Sequence, residues 1–249
     1  MGRVRAVALA ALAGVALAFA VLGPAGCGVD RLAAAAQAAP TRLETVLREM
    51  DAASAKFQSA QADLRQQIFT KVVNDTDEQK GMVYFLRKGG ATQMGIKMLP
   101  QPAQIVEFKD GALRVFNPGT NHVDEFASSG KNQALTETLM TLGFGGGGAD
   151  LKRSWTIEDQ GAEEMSDGAK TVPVEKLDLV SKDENVRKNF THVTIWVDPV
   201  RAVTLKQVFL LASNGRATGD TRTVFYTNIR MNQPVDVGPF AIKCKGKCG

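Results

Sequence analysis

Four consecutive glycines, Gly145–Gly148, lie in the stretch TLGFGGGGADLKR, between an apolar run and a basic pair. Glycine loops cradle phosphate when a strand leads in and a Lys-Ser or Lys-Thr pair opens the next helix. Here Ala149-Asp150-Leu151 stands in place of that pair, and the aspartate would repel phosphate. The glycines also read as following a helix and preceding a strand, which is the wrong order for a nucleotide loop. Glycine does offer backbone freedom. Gly145, Gly146, Gly147 and Gly148 are therefore expected to form a flexible hinge, or at their plainest a surface loop with no further role.

The remaining reactive groups are few. Cys244 and Cys248 sit in KCKGKCG, a spacing that suits a disulfide in an oxidising compartment. A metal site would need two more ligands, and neither histidine is near in sequence, so no metal is expected. His122 is followed by Asp124 and Glu125, and strand alternation lets only Asp124 share its side. The chain has neither a Gly-x-Ser-x-Gly elbow nor a His-Glu-x-x-His pair, and no cofactor motif. The expectation is a protein that is not an enzyme. Apolar surface is plentiful instead. GMVYFLRK places Met82, Tyr84 and Leu86 on one strand face and Val83 and Phe85 on the other. TQMGIKML puts Met94, Ile96 and Met98 on a single face. Methionine is pliable and suits irregular apolar partners, although a methionine-containing core is the plainer reading.

These residues need elements to position them. Thr41 followed by Glu44 is a capping box, and Leu43, Val46, Leu47, Met50, Ala53, Ser54 and Phe57 then recur at helical steps. Beyond it the period becomes two, through DLRQQIFTKVVN, GMVYFLRK, TQMGIKML, QIVEFKDG, ALRVFN and HVDEF. Asp110-Gly111 marks a hairpin among them. A second helical segment over 133–142 carries Leu135, Leu139 and Leu142 on one face and runs into the glycines. The two-residue period resumes in RSWTIED, VEKLDLVS, THVTIWVD, TLKQVFLL and TVFYTNI. Helix, about six strands, helix, about five strands makes an α+β protein with a large antiparallel sheet and helices on one face.

The N-terminus addresses a compartment. Arg3 and Arg5 precede an apolar run from Ala6 to Leu22 and small residues around Gly23-Pro24-Ala25-Gly26, the form of an export signal over 1–26. Two cleavage readings stand: a lipoprotein site that makes Cys27 the acylated first residue, or ordinary cleavage that leaves a soluble protein. Residues 27–40 form a low-complexity tether, 41–243 the folded domain and 244–249 a basic cysteine-containing tail. Without Arg3 and Arg5 the 30 basic residues become 28 against 26 acidic ones. A net charge of +2 is too small to argue for nucleic acid as a partner.

Taken in order, these parts resemble the LolA-type outer-membrane lipoprotein carriers, within the LolA/LolB-like superfamily. KFQSAQADLRQQIF looks like the family's first helix passing into its first strand, and GMVYFLRK is similar to its strand ending in arginine. IVEFKDGALRVFNP resembles its strand–Asp-Gly–strand hairpin, and VFYTNIRMNQPVDVGPFAIK its closing strands. The resemblance implies an incomplete antiparallel β-barrel of about eleven strands, with an α-helical lid over an apolar cavity. It implies a monomeric periplasmic carrier that shields acylated lipoproteins or lipids, with an inner-membrane release complex and an outer-membrane receptor as partners. By the matched motif Arg87 closes the lid, while Phe85, Met94, Ile96, Met98, Leu135 and Leu139 line the cavity. Lys88 stands where the family usually has proline, and Met94 and Met98 where aromatic residues are common. Two alternatives share the fold. One is a LolB-like receptor or lipid-binding lipoprotein, tethered to the outer membrane through Cys27. The other is a stress-sensing regulator, a kind that carries an additional C-terminal domain.

Overall fold

The computed structural model describes residues 39–99, 103–109, 112–127, 140, 142–244 and 246. The chain divides into two compact units, Met1–Ala39 and Pro40–Gly249, and all the elements below belong to the second. The expected export signal, most of the expected tether, Cys27, Leu135 and Leu139, and Cys248 lie outside the described residues.

Helix α1 (Arg42–Ser54) starts at the expected capping box: the Glu44 amide donates to Thr41 Oγ1 at 3.2 Å, and the Thr41 amide donates to the Glu44 carboxylate at 2.8 Å. Its Val46, Leu47 and Met50 are buried, the stripe that the three- and four-residue spacing demands. Six strands follow: β1 (Ser59–Thr70), β2 (Asp75–Lys88), β3 (Ala91–Met98), β4 (Ile105–Lys109), β5 (Ala112–Asn117) and β6 (His122–Ala127). A short helix α2 (Gly148–Ser154) leads into β7 (Trp155–Ser166) and β8 (Thr171–Ser181). After the single-turn α3 (Glu184–Arg187) come β9 (Phe190–Asp198), β10 (Val203–Ser213) and β11 (Arg216–Met231), then a 3-10 turn at Gly238–Phe240.

All eleven strands form one sheet in the order β6-β5-β4-β3-β2-β1-β11-β10-β9-β8-β7, and every pairing is antiparallel. Strands β6 and β7 end the order without pairing to each other, so the barrel is incomplete. The first strand begins at Ser59, earlier than its alternation suggested, because Ala60 and Ala62 are small core residues that carry little pattern.

Register defines two faces. Ala60 pairs with Phe85 and Ala62 with Val83, while Leu64 pairs with Tyr226. Directly opposed residues share a face, so these side chains all turn to the side where α1 packs. With Leu177, Leu179, Val193, Ile195, Leu205 and Phe209 they join the α1 stripe in one buried cluster. Across β2 and β3, Phe85 pairs with Met94 and Val83 with Ile96, which extends the same face toward β4 and Phe108.

Candidate functional site: the helix-covered face of the sheet

The segment Leu142–Gly145 is stitched to the start of β10. Phe144 bridges Val203, the Gly145 amide donates to Ala202 O at 2.9 Å, and the Thr204 amide donates to Gly143 O at 3.2 Å. Beneath it lies a buried polar relay. Thr204 Oγ1 (2.8 Å) and Gln207 Nε2 (2.6 Å) donate to Leu142 O, and Tyr226 Oη donates to Gln207 Oε1 at 3.3 Å. Burial pushes the Tyr226 phenol well above its ordinary pKa. Phe144 rests between Phe85, with ring centroids 4.8 Å apart, and Tyr226 at 5.2 Å edge-on. These contacts satisfy the backbone of a segment that would otherwise bury unpaired amides.

Arg87 ends the apolar part of β2 and reaches two elements at once. Its Nη1 donates to Ser54 O at the end of α1 (2.6 Å), and its Nη2 donates to Gly145 O (2.9 Å). The guanidinium also lies 5.1 Å from the centre of the Phe57 ring. Ser54 Oγ donates to the same Gly145 carbonyl at 2.6 Å. A planar fork suits two diverging carbonyls, so Arg87 joins sheet, α1 and the first glycine.

The glycine run differs from the loose joint that the sequence suggested. Gly145 has φ +72°, and a Cβ there would fall 2.4 Å from the Phe57 ring. A Cβ on Gly148 would fall 2.1 Å from Leu47 O. Three of the four glycines are buried, and their lack of side chains lets the backbone press against α1. The glycines are also followed by a helix, not directly by a strand. The anion-attracting start of that helix is taken by the protein itself: Asp51 Oδ1 accepts from the Ala149 amide at 3.0 Å. Sequence reading missed α2 because its only buried side chain is Leu151, too few for a period to show.

Of the expected cavity residues, the described ones share this face. Phe85 is fully buried against Phe144, whereas Met94, Ile96 and Met98 are half-buried and pack on the core's edge with Phe108. Cys244 is disulfide-bonded. His122 meets Asp124 at 3.2 Å, as alternation requires, and His192 meets Asp178 at 2.7 Å; both histidines are exposed. Among the described residues no group of three or more His, Cys, Asp or Glu could hold a metal, and no helix is long and apolar enough to cross a membrane.

The open eleven-stranded antiparallel sheet with its helical elements is the incomplete β-barrel expected from the sequence. No protein-family model matches the sequence, and no curated protein matches it. Solved structures do. The chain is similar to the MucA/MucB complex of Pseudomonas aeruginosa (TM-score 0.51, 12% identity), covering 82% of this chain and 63% of that one, less than two thirds of its length. It is similar to an uncharacterized conserved protein from Thermus thermophilus (TM-score 0.50, 11% identity), over 84% of this chain and 98% of the other. A LolA superfamily protein from Nitrosomonas europaea aligns over 82% of this chain and 99% of its own, at 14% identity and a TM-score of 0.38. At such identities the likeness concerns the fold alone.

Proposed function

We propose that this protein is a periplasmic carrier that shields the acyl chains of lipoproteins or lipids against the helix-covered face and hands them on. The observation that carries the reading is the half-buried apolar field of Met94, Ile96, Met98 and Phe108, continuous with the core on the face that α1 occupies. Each acyl methylene withdrawn from water contributes about 0.8 kcal/mol, so a chain of some sixteen carbons gains on the order of ten. Pliable methionines make many weak contacts without directional bonds, which suits cargo that must also leave. In this reading Arg87 holds the cover closed through Ser54 and Gly145, and the cover's open and closed states differ by a few kcal/mol.

A second reading, a regulator that binds another protein, draws on the likeness to the MucA/MucB complex. Native mass spectrometry of protein purified from cell envelopes without detergent separates the two. The carrier should bring an acyl-bearing molecule with it, and Ile96→Lys, which puts a charge in the apolar field, should lose that mass. Wild-type protein that is always empty, or an Ile96→Lys variant that keeps its adduct, defeats the carrier reading.

A further inference from the structure

The face of the sheet turned away from α1 carries a hollow of its own. Asp63 pairs with Met82 and Thr227, and Arg65 pairs with Lys80 and Phe225, so these side chains lie together opposite Leu64, Val83 and Tyr226. They form a floor across β2, β1 and β11. The tip of the β7–β8 hairpin forms the wall. A bulge at Asp159–Gly161, where Gly161 has φ +106°, breaks the pairing register of this hairpin.

The tip is latched in place. The Asn228 amide donates to Asp167 O at 2.6 Å, and Arg201 Nη1 reaches the Asp167 carboxylate at 3.1 Å. Gly168, at φ +93°, lies so close that a Cβ would sit 2.6 Å from Asn228 Oδ1. Asp167 is buried, and its carboxylate also accepts the Ala169 and Lys170 amides. A wall held by this many bonds makes the hollow preformed.

Between floor and wall lies a cavity of about 610 Å³, lined by Met82, Leu99, Met165 and Phe225, with Arg65 and Lys80 at its edge. A second hollow of about 440 Å³ shares Asp63 and Met82 with it and adds Asp167 and Arg230. Volumes in this range hold small ligands. Two thioethers, a leucine and a phenyl ring favour an aliphatic chain over a sugar or nucleotide. Arg65 and Lys80 approach one shared acid, Glu78, at 3.2 and 3.6 Å, and the Arg65 guanidinium also lies 4.0 Å from the centre of the Phe225 ring. Asp63 is engaged by Asn228 Nδ2 at 2.7 Å and shares the smaller hollow with Arg230.

We infer that this cleft binds a single-chain anionic amphiphile, a free long-chain carboxylate, with its tail between Met82 and Met165 and its head at Arg65 and Lys80. The site is separate from the helix-covered face and does not rest on the carrier reading. Protein labelled with ¹³C at its methionine methyl groups, titrated with sodium hexadecanoate below its micelle concentration, tests both location and chemistry. The Met82 and Met165 resonances should shift, while Met94 and Met98 stay in place. Hexadecanol, which has the tail without the charge, should bind at least about tenfold more weakly, roughly 1.4 kcal/mol. The Arg65→Gln/Lys80→Gln double variant should lose that preference, and the conservative Met82→Leu should retain binding. A Met165 methyl that does not move, shifts confined to Met94 and Met98, or equal affinity for acid and alcohol would each overturn the assignment. Shifts confined to Met94 and Met98 would at the same time favour the carrier reading.

Discussion

Two carbonyls from different elements, Ser54 O and Gly145 O, converge on the guanidinium of Arg87. Hydrogen bonds from a charged donor contribute about 1.5–3 kcal/mol when well formed. Arg87→Leu removes both, leaves Gly145 O with Ser54 Oγ alone, and takes the charge from beside Phe57. Stability in urea should fall by about 2–3 kcal/mol. The amide of Gly145, which donates to Ala202 O, should exchange its hydrogen faster than in wild type. Arg87→Lys, which reaches one carbonyl at a time, should fall between. Unchanged exchange at Gly145 in Arg87→Leu would count against the proposed role of this arginine in holding the cover closed. The resemblance singled out this residue by its place in GMVYFLRK, yet said nothing of its partners. Both are backbone oxygens, and a sequence holds no mark of which carbonyl a side chain will meet.

Elements with a sustained period could be read directly. The stripe of α1 and the alternation of the strands follow from residues that must face one way. What stayed hidden was short or set by distant contacts: α2, the early start of β1, and the placement of the β7–β8 tip against β11. Gly145–Gly148 illustrates the reason. Four glycines suggest slack, but the same lack of Cβ permits the closest packing, and only the neighbour decides which applies. That neighbour is α1, 91 residues earlier in the Ser54–Gly145 contact. Gly148→Ala tests the difference. Its methyl group would meet the Leu47 backbone at 2.1–2.6 Å, and a helix backbone cannot step aside as a side chain can. The two helices should separate, with a loss of about 1–3 kcal/mol. Gly119→Ala, whose Cβ meets only Asn117 Oδ1 at 3.3 Å, should change little. Equal melting temperatures for the two variants would restore the free hinge.

At the scale of the whole molecule, buried ionisable groups set the pH range over which both faces stay assembled. The chain has two tyrosines, Tyr84 and Tyr226, and both are buried in the sheet, one on each face. Burial raises the pKa of each above the usual value. The folded protein therefore keeps phenolic protons that the unfolded chain releases near pH ~10. Stability from this source is complete below that pH and is lost as the pH rises past it. At the acid end the sign reverses for Asp167. Burial works to raise its pKa, but the Lys170 and Ala169 amides and Arg201 outweigh it and hold the carboxyl below the ordinary range. Its contribution is present above pH ~4 and lost as the pH falls, so the β7–β8 tip should be what acid loosens. The alkaline limit is the sharper test, because Tyr226 sits where β10, β11 and Phe144 meet. Tyr226→Phe gives up the bond to Gln207, about 0.5–1.5 kcal/mol at neutral pH. In return it should lose less stability than wild type between pH ~9.5 and 11, so the two curves of urea midpoint against pH should converge. Curves that stay parallel across that interval would mean that ionisation of Tyr226 is not coupled to unfolding, and that the relay under Leu142 opens to water before the sheet does.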